Sequence, residues 1–392
     1  SSSSPLKIHS LFQAGADIFR LNFSHGTHED HRKRVYHIRQ YEKRLGRPIA
    51  ILGDLQGPKI RIGLFKKTFA VLKNNQKFIL DLNSKEGDQN RVFLPHKEIF
   101  KSVKKNNKIL IDDGKIILNI NKVLSDQIIT EVLVGGKISN RKGVNIPETF
   151  IKMSSLTEKD IKDLKFCLDL SLDYIALSFV QKAKDLNDLK KYVGNQTGIM
   201  AKFEKPLAIK NMNEILQYCD AAMVARGDLG VEMPPEEVPI IQKRIVQSCR
   251  DFGIPVVVAT QMLDSMVESP SPTRAEASDV ATAVFDAADC LMLSAETASG
   301  KFPVESVKIM NRIIRGVESD VSYRQILESK QIKLEETTSD AISSAASQVV
   351  KTVFAKAIFT YTRSGATAKR AARERPTVPI IGLSPERITA RQ

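Results

Sequence analysis

The apolar residues of the chain cluster in short runs that alternate with amphipathic stretches. Within residues 236–253, Ile241, Ile245 and Cys249 recur every four positions after Pro234-Pro235, which predicts an amphipathic helix. Short β-branched apolar runs predict buried parallel strands at 18–23, 49–54, 174–180, 198–204, 221–226, 255–261 and 290–296. Strands that alternate with helices in this way predict a parallel α/β fold, and we expect a TIM (β/α)8 barrel.

At each end of the sequence, the pattern of strands and helices predicts a domain that lacks one or more elements. A closed barrel of this type needs eight strands, and residues 6–14 already predict a helix ahead of the strand at 18–23. We therefore expect one further strand to precede the sequence. After the barrel, a helical stretch and strands at 357–362 and 378–383 predict a C-terminal α/β domain. Two strands are few for an independent sheet, so we expect this domain to be incomplete.

The barrel repeat is interrupted between the strands at 49–54 and 174–180. Period-two alternation at 66–72, 77–82, 108–120 and 128–134, with turn residues between the runs, predicts a small all-β domain inserted after a barrel strand. The predicted domains are the barrel at 1–58 and 155–320, the inserted β-barrel at 59–154 and the C-terminal domain at 321–392. An insertion at the mouth of a barrel is well placed to act as a lid, although a passive insertion would show the same pattern.

The composition argues against several classes of protein but does not identify one. The net charge is +14 and the sequence pI is about 9.5, which raises the question of a nucleic-acid partner. The lysines are dispersed, Trp is absent and aromatic residues make up 6%, so we expect a solvated basic surface instead. No apolar run approaches the ~18 residues of a membrane span. Four widely spaced cysteines fit free thiols in a reducing, cytoplasmic setting.

Polar and charged residues follow the predicted strands at the point where each strand ends. Barrel enzymes place their chemistry at the carboxyl ends of the strands. Glu204 and Asp228 end adjacent strands, and two carboxylates with substrate oxygens and water are a usual Mg²⁺ site. Lys202 lies two residues before Glu204 and so shares its face of the strand. Its charge would stabilise a transferring phosphoryl group, although a structural salt bridge would use the same pair.

Other strand ends supply groups suited to anions. Arg20 and Arg61 end neighbouring strands and can hold phosphate oxygens through paired N–H groups. Thr260 offers a hydroxyl donor at the same mouth. The loop expected at 227–230 offers the backbone N–H groups of Gly227 and Asp228 to an anion. These residue types together predict a magnesium-dependent phosphoryl-transfer enzyme.

Five segments of the sequence resemble pyruvate kinase. They are Leu21-Asn22-Phe23-Ser24-His25-Gly26, Gly57-Pro58-Lys59-Ile60-Arg61, Arg226-Gly227-Asp228-Leu229-Gly230, Ala259-Thr260-Gln261-Met262-Leu263 and the run from Pro272 to Thr297. The resemblance extends in order over essentially the whole chain. It implies transfer of a phosphoryl group from phosphoenolpyruvate to ADP, which gives pyruvate and ATP, the final step of glycolysis. It also implies Mg²⁺ as cofactor, with Mn²⁺ as a substitute, and a homotetramer.

The resemblance also implies a role for each matching residue. Glu204 and Asp228 would hold the metal, and Lys202 would be the catalytic lysine. The other catalytic residues would be Thr260, Arg20 and Ser294. Phosphoenolpyruvate would be bound by Arg20, Lys202, Gly227, Asp228 and Thr260. The nucleotide phosphates would be bound by Asn22, His25, Arg61 and Lys142, of which His25 is equally well explained as a surface histidine.

One departure from many family members concerns K⁺. Those members have an acidic residue where Lys59 stands and a threonine where Leu55 stands, and the present residues resemble the K⁺-independent branch. The monovalent-cation position would comprise Asn22, Ser24, Asp54, Leu55 and Lys59. The tethered ammonium of Lys59 would replace the charge of the ion, so we expect activity without K⁺.

Two other function classes share part of this pattern. A magnesium-dependent lyase or aldolase acting on a pyruvate enolate also needs paired carboxylates and a basic residue, but not a nucleotide-binding lid. A basic binding protein without enzymatic activity would not need Lys202, Glu204 and Asp228 together. Dependence of pyruvate formation on ADP distinguishes the kinase from the lyase, and salt-sensitive RNA binding without turnover would favour the binding protein.

Overall fold

The computed structural model describes residues 3–147, 149–151, 153–329 and 337–392. The chain begins with helix α1 (Pro5–Ala14), strand β1 (Ile18–Asn22), helix α2 (His28–Leu45) and strand β2 (Ala50–Asp54). Thr27 caps α2, since its hydroxyl accepts a hydrogen bond from the backbone N–H of Asp30 at 3.2 Å. Gly46 ends the helix in the left-handed conformation that favours glycine.

The residues after β2 form a separate, mostly antiparallel β-structure. Its elements are β3 (Phe69–Leu72), β4 (Lys77–Asp81), β5 (Arg91–Phe93), α3 (Lys97–Ser102), β6 (Lys108–Ile111), β7 (Ile116–Val123), β8 (Gln127–Val134), β9 (Gly136–Ser139) and β10 (Val144–Asn145). Six strands pair in the order β10-β6-β7-β8-β4-β5, and β3 pairs with β9. Alternate apolar residues such as Ile116, Leu118 and Ile120 point into a core of its own.

The chain then returns to the parallel sheet. The elements are α4 (Glu158–Asp169), β11 (Tyr174–Leu177), α5 (Ala183–Val193), β12 (Gly198–Phe203), α6 (Pro206–Lys210), α7 (Met212–Leu216), β13 (Ala221–Ala225), α8 (Arg226–Glu232), α9 (Val238–Phe252), β14 (Val256–Ala259), a 3₁₀ turn (Asp264–Val267), α10 (Arg274–Phe285), β15 (Cys290–Met292), α11 (Ala295–Ala298) and α12 (Pro303–Ser319). The seven strands run parallel in the order β1-β2-β11-β12-β13-β14-β15.

This sheet is the curled (β/α) barrel that the strand pattern predicts. Successive residues of a barrel strand point in opposite directions, so they contribute to two separate hydrophobic cores. Ala201 and Phe203 of β12 face the surrounding helices, whereas Met200 packs with inward residues of the neighbouring strands. Lys202 shares the face of Met200 and therefore points into the barrel. Helix α1 packs on α12, and Asn311 Nδ2 donates a hydrogen bond to the Ala14 carbonyl at 3.3 Å.

The last part of the described chain packs at the opposite end of the barrel from the strand carboxyl ends. Its elements are α13 (Val321–Ser329), α14 (Thr338–Val353), β16 (Ile358–Tyr361), α15 (Ala366–Arg373), β17 (Ile380–Leu383) and α16 (Arg387–Arg391). Strands β16 and β17 pair in parallel. Arg391 donates to both carboxylate oxygens of Glu42 on α2, at 2.7 and 2.9 Å.

One local prediction is wrong. Residues 227–230 are not a loop, because helix α8 begins immediately after β13 and includes them. The domain boundaries at 58/59, 154/155 and 320/321 remain predictions. The four cysteines carry free thiols. Among the described residues, no helix is both long enough and apolar enough to cross a membrane.

Candidate active site

Lys202 lies at the centre of a buried polar cluster near the carboxyl ends of the barrel strands. Its ammonium lies 2.8 Å from Glu204 Oε1 and 3.2 Å from Asp54 Oδ1, and it donates a hydrogen bond to Ser178 Oγ at 2.8 Å. The Ser178 hydroxyl in turn donates to the Leu55 carbonyl at 2.7 Å. Three strands, β2, β11 and β12, thus hold one lysine in a fixed position.

Asp54 joins Lys202 to Arg20. The guanidinium Nε of Arg20 donates to Asp54 Oδ2 at 2.6 Å. Burial alone would raise the pKa of Asp54, but the charges of Lys202 and Arg20 outweigh it and lower that pKa. Burial would likewise lower the pKa of Lys202, but Asp54 and Glu204 raise it above its usual value. The cluster therefore contains a charged lysine and a charged aspartate at neutral pH.

Glu204 differs from Asp54 in its electrostatics. Its Oε2 accepts a hydrogen bond from the Phe179 backbone N–H at 2.8 Å. Burial raises the pKa of Glu204; Lys202 opposes that increase, and the neighbouring carboxylate of Asp228 adds to it. A cation between the Glu204 and Asp228 carboxylates would offset the repulsion between their like charges.

The chemistry of Glu204 and Asp228 fits a divalent cation. Glu204 is buried, and its Oε1 forms an ion pair with Lys202 at 2.8 Å. In the part of the chain that the structure describes, no three His, Cys, Asp or Glu side chains converge as a metal site. A cation here would therefore have two protein carboxylates and take its other ligands from substrate and water, which is usual for Mg²⁺.

Thr260 lies in a strained turn that follows β14. Thr260 and Gln261 both have positive φ, of 70° and 52°, which is unfavourable for residues with a Cβ atom. The Thr260 hydroxyl accepts a hydrogen bond from Gly227 N–H at 2.7 Å and donates to the Ala259 carbonyl at 2.6 Å. The predicted substrate groups Thr260 and Gly227 are therefore in contact.

Ser294 lies at the start of α11, after β15. Its backbone N–H donates to Glu296 Oε2 at 2.7 Å, whereas its hydroxyl is buried and has no hydrogen bond within the described residues. That hydroxyl is available to a substrate or a water molecule.

The predicted nucleotide and monovalent-cation residues are more dispersed. Asn22 Oδ1 accepts from the Ser24 backbone N–H at 3.0 Å, and His25 is exposed. Arg61 donates to the Arg141 carbonyl at 2.9 Å, and Lys142 forms an ion pair with Asp112 at 2.9 Å. Both of these basic groups thus have partners in the inserted β-structure.

Lys59 and Leu55 occupy different environments. Leu55 is buried and contributes its carbonyl to Ser178, as described above. Lys59 lines a cleft between the barrel and the inserted β-structure, together with Asn145, Lys205 and Asp228. The structure therefore brings Arg20, Asp54, Lys202 and Glu204 together and places Lys59 in the cleft that Asp228 also lines.

Sequence reasoning missed two residues that organise this site. Ser178 lies within the predicted strand 174–180 as a polar residue in an apolar run, and that signal could have identified it. Arg226 anchors the strained turn through hydrogen bonds to the carbonyls of Thr260 and Gln261 at 2.8 and 2.9 Å. No spacing in the sequence predicts that contact, because the partners are more than thirty residues apart.

Comparisons with known proteins agree with the fold. A family model described as "Pyruvate kinase, barrel domain" matches residues 1–307, and one described as "Pyruvate kinase, alpha/beta domain" matches residues 340–392. A pyruvate kinase of Methylorubrum extorquens is 50% identical over 392 residues, which are 100% of this chain and 82% of that protein. A pyruvate kinase of Agrobacterium vitis is 50% identical over 394 residues, with 100% of this chain and 83% of the relative covered.

A solved structure gives the same result. The crystal structure of a pyruvate kinase from Cryptosporidium parvum superposes with a TM-score of 0.95 at 34% identity, covering 100% of this chain and 82% of that one. The fold and the site define a barrel phosphotransferase. The chain belongs to the pyruvate kinase family.

Family membership decides between the function classes that the sequence left open. The kinase prediction is confirmed, and the lyase and the basic binding protein are not supported. The individual residue roles remain predictions.

Proposed function

We propose that this chain transfers the phosphoryl group of phosphoenolpyruvate to ADP through the cluster around Lys202. The main support is the Lys202 ammonium, which is buried between Asp54 and Glu204, with the Asp228 carboxylate close enough to affect Glu204. In the reaction the bond between phosphorus and the enol oxygen breaks, and a bond to a β-phosphate oxygen of ADP forms. The enolate left behind takes up a proton at its methylene carbon and becomes pyruvate.

The roles of the substrate residues follow from where their polar groups lie. Lys202 would stabilise charge on the transferring group, because its position is fixed before substrate arrives. Arg20 has a half-buried guanidinium, and Asp54 occupies its Nε, so its outer N–H groups can take substrate phosphate oxygens. The Asp228 backbone N–H, at the start of α8, would hold the substrate carboxylate. The Gly227 N–H would join it after releasing the Thr260 hydroxyl, to which it donates at 2.7 Å in this structure.

Thr260 and Ser294 are the groups proposed to deliver the proton. The Thr260 hydroxyl donates to Ala259 in this structure, so it would have to rotate or act through a water molecule. The Ser294 hydroxyl needs no such exchange, since it has no hydrogen bond in the described part of the chain.

Glu204 and Asp228 would hold Mg²⁺, or Mn²⁺ in its place. When bound, the divalent cation supplies positive charge that offsets the charge on phosphoryl and enolate oxygens. The family generally needs Mg²⁺.

The nucleotide would bind between the barrel and the inserted domain at 59–154, which we propose acts as a lid. Asn22 and His25 would contribute from the barrel side, and Arg61 and Lys142 from the lid. Lys142 would exchange Asp112 for a nucleotide phosphate, because an ion pair that is partly exposed contributes little.

Lys59 is the residue proposed to replace K⁺. Lys59 lines the cleft that Asp228 also lines, so its ammonium can add one positive charge to the site. Asn22, Ser24, Asp54 and Leu55 would complete the monovalent-cation position. A homotetramer and a cytoplasmic location remain proposals that rest on the family resemblance.

A coupled assay tests the proposed reaction. Pyruvate formation from phosphoenolpyruvate is followed with lactate dehydrogenase and NADH, with and without ADP, in the presence of Mg²⁺. We expect turnover that requires ADP. Pyruvate formation without ADP would support the lyase instead, and no turnover by folded protein with Mg²⁺ would contradict the proposal.

A further inference from the structure

Glu232, the last residue of α8, joins the barrel to the inserted β-structure. Its Oε1 accepts a hydrogen bond from Asn145 Nδ2 at 2.7 Å and forms an ion pair with Lys205 at 2.6 Å. Asn145 belongs to β10 of the inserted structure, and Lys205 follows β12 of the barrel. One carboxylate oxygen therefore has partners on both sides of the cleft.

Each partner is connected to a residue of the proposed site. Lys205 directly follows Glu204. Asp228 lies four residues before Glu232 on the same short helix, which places the two on one face. Lys142, the proposed nucleotide ligand, lies three residues before Asn145. The contact at Glu232 thus links the segments that carry both metal carboxylates and one phosphate-binding lysine.

Glu232 is buried, and its carboxylate depends on both of its partners. Its side chain is 2% exposed, so both partners are needed to compensate the loss of hydration. The Lys205 ammonium also lies 5.4 Å from the centre of the Phe179 ring, and the Phe179 backbone N–H holds Glu204. A shift of Glu232 would therefore be transmitted to Glu204 through Lys205 and Phe179.

We infer that Glu232 is a positioning residue that sets the inserted domain against the two metal carboxylates through Asn145. This inference rests on the proposed function, since it concerns how the nucleotide side of that site is aligned. Glu232 and Asn145 take no part in bond making or breaking. Loss of their hydrogen bond should weaken nucleotide binding while leaving phosphoenolpyruvate binding intact.

The test compares Asn145→Ala with Asn121→Ala, which removes an exposed asparagine amide elsewhere on the inserted domain. A hydrogen bond to a charged group is strong enough that we expect the KM for ADP to rise about tenfold in Asn145→Ala. The KM for phosphoenolpyruvate should change by less than about twofold. The same is expected for the Kd of phosphoenolpyruvate measured without ADP. Hydrogen exchange of the backbone amides of residues 141–146 should become faster, and Asn121→Ala should resemble the wild type in every measurement.

A double-mutant cycle separates positioning from simple damage. Glu232→Ala and Asn145→Ala should be non-additive in the KM for ADP, because each removes one side of the same hydrogen bond. Asn145→Asp places two carboxylates together and should be worse than Asn145→Ala. Adding Glu232→Gln to Asn145→Asp restores an amide facing a carboxylate and should recover part of the loss.

Additive effects, or an unchanged KM for ADP in Asn145→Ala, would overturn the inference. The same holds if hydrogen exchange at residues 141–146 is unaltered. Hydrogen exchange does not depend on turnover, so failure of the proposed reaction in the wild type would be distinguished from failure of this inference.

Discussion

Arg226 holds the backbone carbonyl of Thr260 with two guanidinium N–H groups, at 3.2 Å from Nε and 2.8 Å from Nη2. Its Nη2 also reaches the Gln261 carbonyl, and its Nη1 is paired with Asp279 at 2.7 Å. Thr260 and Gln261 both have positive φ, and such conformations cost ~1–3 kcal/mol each. Arg226 therefore stabilises a strained turn that presents the Thr260 hydroxyl to the site.

Arg226→Met should release this turn. We expect kcat to fall at least about tenfold, since the Thr260 hydroxyl loses its fixed position. The free energy of unfolding should fall by about 2–4 kcal/mol, because several carbonyls lose their donor. Adding Gln261→Gly should recover up to about 1 kcal/mol by removing one strained residue. Urea unfolding and coupled kinetics measure both effects, and no recovery with glycine would contradict the strain argument.

Lys202→Ala should abolish most turnover. Removing a preorganised charge from a transition state costs on the order of 10²–10³ in kcat. In this variant Asp54 keeps its ion pair with Arg20, but Glu204 loses its ion pair with the lysine. The free energy of unfolding should therefore also fall by about 3 kcal/mol. Lys210→Ala, which removes an exposed lysine after the same strand, is the matched control. A folded Lys202→Ala enzyme with near wild-type kcat would refute the catalytic role.

Lys59→Glu should convert the enzyme to dependence on K⁺. The wild type should turn over without added K⁺, because the ammonium of Lys59 supplies the charge near Asp228. In the variant a carboxylate takes its place, so activity should appear only as KCl is added. The coupled assay in tetramethylammonium buffer, with and without KCl, measures this. Strict K⁺ dependence of the wild type would exclude the proposal.

His31 should make the free energy of unfolding depend on pH. Burial lowers the pKa of His31, and its neutral ring is fully used: Nε2 donates to the His25 carbonyl at 3.0 Å and Nδ1 accepts from Arg34 at 3.2 Å. The folded protein therefore binds fewer protons than the unfolded chain below the ordinary pKa of about 6.5. Stability from this residue is present above that pH and is lost as the pH falls towards the lowered folded value.

His31→Gln keeps a donor and an acceptor but does not titrate. Between pH 6.5 and pH 5 the wild type should lose up to about 1.4 kcal/mol per pH unit more than this variant. Guanidinium unfolding at several pH values measures the difference. Parallel pH profiles for the two proteins would show that His31 is not the group responsible.

The sequence alone determined the features that depend on near neighbours along the chain. Apolar runs located every strand of the parallel sheet, and the alternation of side chains within β12 placed Lys202 and Glu204 on one face. Residues at strand ends identified Arg20, Glu204, Asp228 and Thr260, because parallel strands bring their carboxyl ends together. These inferences need only the periodicity of a strand and the geometry of a barrel.

Only the tertiary structure decided which of these groups touch. Lys202 contacts Asp54 across 148 residues of sequence, and Asn145 contacts Glu232 across 87. Arg226 was expected to end a strand, but it begins a helix and anchors the turn at Thr260. Such contacts depend on strand register, on the seating of the inserted domain and on backbone conformations that are strained locally. No periodic pattern in the sequence predicts these contacts, because the residues that form them are distant from one another along the chain.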